Sequence, residues 1–456
     1  RQFIASATAL ATLPSSRAFA DANADLLSAQ EVSVQLLPDG YGPTTLWGYN
    51  GNAPGAEIRV AQGARIKRTL TNALSQPTSV HWHGIRIDNA MDGVSGLTQS
   101  AVQPGAEFDY DFVVPDAGTY WYHAHNMSTQ QVARGLYGPL IVEEADAPDV
   151  DREEVFVLDD WLVDPETAQL DSNFDAPQAL SHGGRIGNFV TTNAVYNLAL
   201  NARKNERMRL RLINASNARI FALQLQGLDG WTVALDGMPL PTPQSIPETI
   251  IMGPAQRIDL IVDVTSDAGE LAHIAQVGRE GAVSQVAFSV GTGGATTRRP
   301  APAALPPNNT TDVDLKKATP LTLIMEGGAM GRLNRASLGG QEKSMSELVE
   351  AGRYWAFNGA ADGMDGPPLA RLGIGEHVRL AIRNDTSFPH AMHLHGMHFR
   401  EVAADGSLGA MRDTTLIERG ASREIAFVAD NPGNWLFHCH MLSHAASGMM
   451  TRLEVA

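Results

Sequence analysis

The chain has 456 residues, enough for roughly three domains of ordinary size. Its 43% hydrophobic and 18% charged content is that of a soluble globular protein, and a net charge of −16 argues against a nucleic-acid partner while suiting attraction of cations. A single cysteine excludes any internal disulfide, so that residue reads as a ligand rather than a staple.

Residues 1–20 read as an export signal. Phe3 to Leu13 is an apolar run too short to span a bilayer, and Ala18-Phe19-Ala20 matches a small-residue cleavage site. The chain opens on Arg1-Gln2-Phe3, and one more arginine upstream would make a twin-arginine address. The mature protein is then exported, periplasmic or secreted from a bacterium, with no membrane anchor.

From 21 to 146 the pattern is strand and turn. Val32–Leu37, Ile58–Val60, Arg65–Leu70, Phe108–Val114 and Leu140–Val142 are predicted strands, separated by Pro-Asp-Gly, Ala-Pro-Gly and Gln-Pro-Gly signals. This stretch carries His81-Trp82-His83 and His123-Ala124-His125. In a strand, residues i and i+2 share a face, so each pair aims two imidazoles the same way. Residues 147–295 are again β-rich, with strands predicted at Val155–Leu158, Met208–Ile213, Ile250–Met252 and Ile258–Val264. Their only histidines, His182 and His273, have no metal-like spacing and read as structural or surface residues. Residues 296–320 are rich in proline and small polar residues, the composition of an extended linker. The last stretch, 321–456, begins with a predicted helix at 344–352 and continues to His390-Ala391-Met392-His393-Leu394-His395, a third pair with one more imidazole three positions earlier. His377 and His398 repeat no pairing and are set aside.

The most informative segment is Trp435 to Met450, which contains His438-Cys439-His440, then His444 and Met449. Cysteine thiolate, two imidazoles and a weak axial methionine form the ligand set of a blue-copper site. On a strand Cys439 faces one way while His438 and His440 face the other. One metal can therefore sit on the first face and two imidazoles can reach other metals on the second. A buried free cysteine among unrelated histidines is the bland alternative. Against it, eleven of the 14 histidines fall in these four clusters, His398 counted with the third.

In order and spacing the four motifs resemble those of the three-domain multicopper oxidases, the family of laccases and of bacterial cuprous or manganese oxidases. The resemblance implies an all-β chain of three cupredoxin-like Greek-key β-barrels, at 21–146, 147–295 and 321–456. It also implies four copper ions. His390, Cys439, His444 and Met449 would hold the type 1 copper, Met449 rather than Met450 because it stands ten residues beyond Cys439. His81 and His393 would hold the type 2 copper. His83, His123, His125, His395, His438 and His440 would hold the type 3 pair. An axial methionine implies a lower type 1 potential than phenylalanine or leucine there.

The implied activity is laccase-like. A phenolic or aromatic donor gives single electrons near His390 or His444, Cys439 passes them through His438 and His440, and O2 is reduced to two waters. Asp92 stands where the family places a proton-delivering acid, though Met91-Asp92-Gly93 reads equally well as a turn. The sequence departs from many relatives in lacking any carboxylate from Met441 to Met450. Cu(I) or Mn(II) are the alternative donors. A carrier of this fold would leave eight motif histidines without a role, scaffold relatives have lost the ligands that are all present here, and a nitrite reductase lacks the full set. A monomer is expected.

Overall fold

The structure is a computed structural model that describes residues 25–279 and 281–456; the expected export signal at 1–20 lies outside them. Three pairs of β-sheets follow one another along the chain. The first pair has strand orders Thr44–Tyr49, Leu26–Val34, Arg65–Asn72, Glu107–Val113 and Ile58–Ala61, Tyr137–Glu143, Gly118–Ala124, Val80–His83. The other two pairs each combine a six-stranded and a five-stranded sheet.

One pairing scheme recurs three times. In each unit the opening strand runs parallel to a later strand of its own sheet: Leu26–Val34 beside Arg65–Asn72, Arg152–Trp161 beside Arg207–Asn214, and Thr319–Gly327 beside Glu376–Asn384. In the facing sheet a second parallel pair closes the barrel, namely Ile58–Ala61 with Tyr137–Glu143, Leu198–Arg203 with Gly281–Gly291, and Ala370–Leu372 with Met450–Val455. Parallel neighbours cannot be joined by a hairpin, so the chain must cross between sheets, which makes each unit a Greek-key barrel. The three barrels are cupredoxin-like.

The predicted strands all form, most of them extended by one to six residues at their ends; Ile250–Met252 is unchanged and Phe108–Val114 shifts by one residue to Glu107–Val113. The first differs most: it runs Leu26–Val34 and stops short of the predicted 35–37, because Pro38-Asp39-Gly40 begins the turn. The predicted helix is shorter, Met345–Glu350, capped by Ser344, whose hydroxyl accepts from Glu347 N–H while the Glu347 carboxylate accepts from Ser344 N–H.

Residues 296–318 form no strand, but they are fastened down. Arg299 pairs with Asp149 and Asp151, Leu305 is buried against Val233 and Ile261, and Asn308 both accepts from Ala117 N–H and donates to its carbonyl.

The apolar core shows which barrels belong together. One continuous cluster runs through the first and third, joining Trp82, Tyr110 and Tyr122 to Leu323, Trp435, Phe437, Cys439 and Met449. The middle barrel has a core of its own around Phe156, Leu210, Leu260 and Phe288. It meets the first through buried arginines on alternate positions of Arg207–Asn214. Arg209 pairs with Glu144 of the first barrel and with Asp259 of its own, and Arg211 donates to Thr119 Oγ1 of the first barrel while pairing with Asp259.

Candidate metal centre

Strand register brings the histidine pairs side by side. His81 lies opposite His123 on the antiparallel strands Val80–His83 and Gly118–Ala124. In the third barrel His393 lies opposite His438, and Met392 opposite Cys439. The strand Gly433–Cys439 ends at Cys439, so His440 sits one residue beyond it, its N–H donating to the Ala391 carbonyl.

Eight imidazoles then converge between the first and third barrels. His83, His123 and His440 form one trio, with 3.4 Å between His83 Nδ1 and His123 Nε2 and 3.5 Å between His123 Nε2 and His440 Nε2. His125, His395 and His438 form a second, with 3.1 Å between the Nε2 atoms of His395 and His438. His81 and His393 lie between them, stacked on His395 and His83 with ring centroids 3.9 and 3.7 Å apart. Each trio thus takes one of the two histidines that flank Cys439.

A second donor set lies on the other side of Cys439. Its Sγ is 3.6 Å from His390 Nδ1 and 3.8 Å from His444 Nδ1, and the two nitrogens are 3.1 Å apart. The centre of that triangle is about 2 Å from each corner, the length of a metal bond to imidazole and close to one to thiolate. Met449 is buried beside it, its carbonyl accepting from Cys439 N–H.

The outer nitrogens fix the tautomers. His81, His123, His393 and His438 direct Nδ1–H to the carbonyls of Asp92, Ala124, Asp413 and Cys439, leaving each Nε2 lone pair facing inward. His395 Nδ1–H donates to Asp92 Oδ2 at 3.0 Å and His83 Nε2–H to Asp413 Oδ1 at 3.3 Å. In the cysteine set, His390 Nε2 meets Thr386 Oγ1 at 2.7 Å, and His444 Nε2–H donates to the His182 carbonyl at 2.6 Å.

This donor set fits a soft or borderline metal. Burial holds His125 down to about 3 and His444 to about 4, and pushes the Cys439 thiol up to about 12. His81 Nε2, His393 Nε2 and His440 Nδ1 are buried without a partner, an arrangement that costs free energy unless something binds there. Thiolate with imidazoles suits copper.

Comparison with known proteins agrees. Sequence profiles described as multicopper oxidase match residues 31–147 and 340–456. The multicopper oxidase MmcO of Mycobacterium tuberculosis is 32% identical over 438 residues, covering 89% of this chain and 82% of its own. The chain belongs to the multicopper oxidase family. Copper resistance protein A of Pseudomonas syringae is 27% identical, covering 90% of this chain and 89% of its own. Among solved structures, Lac15 from a marine microbial metagenome is 41% identical, with a TM-score of 0.76 over 94% of this chain and 99% of its own. A multicopper oxidase from Pseudomonas thermotolerans is 34% identical, with a TM-score of 0.81 over 94% and 98%.

As a multicopper oxidase the protein is an oxidoreductase that uses O2 as acceptor and works with four copper ions. Two groups around its centre escaped the sequence. Asp413, wholly buried, lies within 3.4 Å of imidazole nitrogens from both barrels, His83 and His393. Arg257, from the middle barrel, grips it through two parallel bonds of 2.8 and 2.6 Å. The remaining guanidinium N–H groups reach the carbonyls of Thr119, Ala255 and Asp236. Burial alone would raise the Asp413 pKa, but Arg257 and the facing imidazoles hold it well below the usual carboxylate range. Asp236, pressed by burial and by the charge of Asp413, is raised to about 6. His398, set aside in the sequence, is buried 3.8 Å from Asp413, and His377 accepts from Asp314 N–H at the surface.

Proposed function

We propose that His390, Cys439, His444 and Met449 hold the electron-accepting copper, that His81 and His393 hold the type 2 copper, and that the two trios hold the type 3 pair. Three barrels bounded at 21–146, 147–295 and 321–456 are the matching division. The observation that carries this reading is the split of His438 and His440 between the two trios, with Cys439 between them in the third donor set. Bound copper supplies one-electron redox chemistry at the cysteine set and O2 reduction at the eight-histidine set.

The chain's own residues do the rest. Cys439 links the two sets through the backbone of a single residue on either side. Asp92 touches His395 and lies 3.2 Å from His81 Nδ1, which places its carboxylate to hold or release a proton beside both. A cavity of about 280 Å³ reaches His125 and His438 past Met127, Met364 and Leu442, giving O2 and water a path to the junction.

The donor is read as a small phenol or aromatic amine, as in a laccase. The likeness to a copper resistance protein and the net charge of −16 favour Cu(I) as a second candidate, with Mn(II) beside it. No helix among the described residues is long and apolar enough to cross a membrane, and the bacterial relatives suit a periplasmic monomer. The test is O2 uptake by the copper-loaded protein with 2,6-dimethoxyphenol, Cu(I) and Mn(II) in turn. Fastest uptake with the phenol supports the laccase reading; uptake with metal ions alone replaces it.

A further inference from the structure

The cysteine donor set has no open edge. Cys439, His390, His444 and Met449 are all 0% exposed. The outer N–H of His444, the group a phenol would otherwise bond, is already given to a peptide carbonyl of the middle barrel. His390 is likewise closed by the buried hydroxyl of Thr386. An electron donor therefore reaches neither imidazole directly.

The covering segment is the helix Pro177–Ser181 and the His182-Gly183-Gly184 that follows it. A helix leaves its last carbonyls unpaired, and here three successive ones are taken up by the third barrel. The Leu180 carbonyl accepts from Trp355 Nε1 at 2.6 Å and from Ser447 Oγ at 3.1 Å. The Ser181 carbonyl accepts from Ala329 N–H at 2.6 Å, and the His182 carbonyl from His444. The cover is thus fastened at consecutive points over the donor set. His182 is half-buried, unlike the four fully buried residues of the donor set. It stands edge-on to Phe388 with centroids 5.8 Å apart. Phe388 meets Trp355 at 6.0 Å, and Trp355 meets His444 at 4.4 Å.

We propose that His182, a residue of the barrel that supplies no copper ligand, is where the donor makes contact and the electron enters. This rests on the assignment of His390, Cys439, His444 and Met449 as the electron-accepting set. The route runs from the His182 ring through its own Cα and carbonyl, across the 2.6 Å hydrogen bond, to the His444 imidazole. Because no ligand N–H is free to bond a hydroxyl, the contact selects planar aromatic donors that stack on the imidazole and the Phe388 edge. In each step the donor loses one electron and its O–H proton goes to water. The copper that His390, Cys439, His444 and Met449 would hold supplies the one-electron oxidant, with O2 as terminal oxidant.

The experiment compares His182→Ala and His182→Phe in the copper-loaded protein. Both keep the backbone carbonyl, so the blue absorption band and its potential should stay as in the parent. Anaerobic bleaching of that band by 2,6-dimethoxyphenol should slow about tenfold in His182→Ala, the worth of one lost aromatic contact, and recover to within about threefold in His182→Phe. A purely structural role through the His182 Nδ1 contact with Ser181 Oγ would not be rescued by phenylalanine. Independently, 4-nitrophenol, which resists oxidation, should broaden the His182 ring resonances of the reduced, diamagnetic protein. Bleaching as fast or faster in His182→Ala, or no broadening at His182, overturns the proposal. Absence of a blue band in the parent protein would instead overturn the ligand assignment beneath it.

Discussion

Replacing Arg257 by methionine removes a charge that no copper touches, yet it should damage one copper set and spare the other. All five guanidinium N–H groups are used, two on Asp413 and three on the carbonyls of Thr119, Ala255 and Asp236, and the pair is fully buried. Removing one partner of a buried pair costs about 3–5 kcal/mol. Orphaning three carbonyls adds about 1 kcal/mol or more each, and burying the methionine side chain returns about 2 kcal/mol. The net loss is about 4 kcal/mol or more, which for a unit of this size lowers the melting temperature by ~10 °C. Asp413, no longer gripped, stops holding His83 and His393 in register. Copper content should fall at the eight-histidine set, while the blue band stays, because no Arg257 bond reaches Cys439, His390, His444 or Met449. Gly84→Ala approaches the same contact from the first barrel. Its backbone has φ +87°, and an added Cβ would collide with Arg257 Nη2 and the Asp413 carboxylate. Calorimetry with a copper count per chain decides the matter. Arg257→Met protein that melts within ~2 °C of the parent and carries four coppers would refute the reasoning.

Asp92→Asn should leave reduction of the blue band by donor intact and slow its reoxidation by O2 about 10²-fold or more, read by stopped flow, because the carboxylate touches only the eight-histidine set. Met449→Leu should keep the blue band and raise its potential in a spectroelectrochemical titration. The copper-free protein should lose stability steeply as pH falls below about 6.5. The unfolded chain binds protons there, while the buried histidines, with His444 at about 4 and His125 at about 3, stay neutral until far lower pH. Asp236, raised to about 6, acts in the opposite sense, as do Asp159, Asp160 and Glu154, all raised by burial, but they are outnumbered by the histidines that burial holds low. A melting temperature flat from pH 7 to pH 5 in chelator-treated protein would contradict this.

Much of the centre could be read from the sequence because strand geometry converts spacing into direction. His-x-His puts two imidazoles on one face, and His438-Cys439-His440 divides donors between two sets; the structure brings all eight histidines and the cysteine set together as that alternation requires. His440 lies just past its strand and arrives through a backbone bond to Ala391 that spacing does not encode. Asp92, ambiguous as a turn residue, proves wholly buried against two histidines. Asp413 and Arg257 stand 156 residues apart, in segments with no local metal pattern, so only packing of the barrels joins them. His182 escaped for a different reason: its contact with His444 is made by a backbone carbonyl, a group every residue carries. The stretch 296–320 reads as an extended linker from composition, but its fastening through Arg299, Leu305 and Asn308 depends on partners far away in sequence.

The most direct test of the account is electron paramagnetic resonance with absorption on the copper-loaded protein and on Cys439→Ser, alongside a copper count. Four coppers per parent chain, an intense blue band, and selective loss of that band with three coppers retained in Cys439→Ser are the predicted result. A blue band that survives the substitution, or a parent chain that binds a single copper, would contradict the division into a cysteine set and an eight-histidine set.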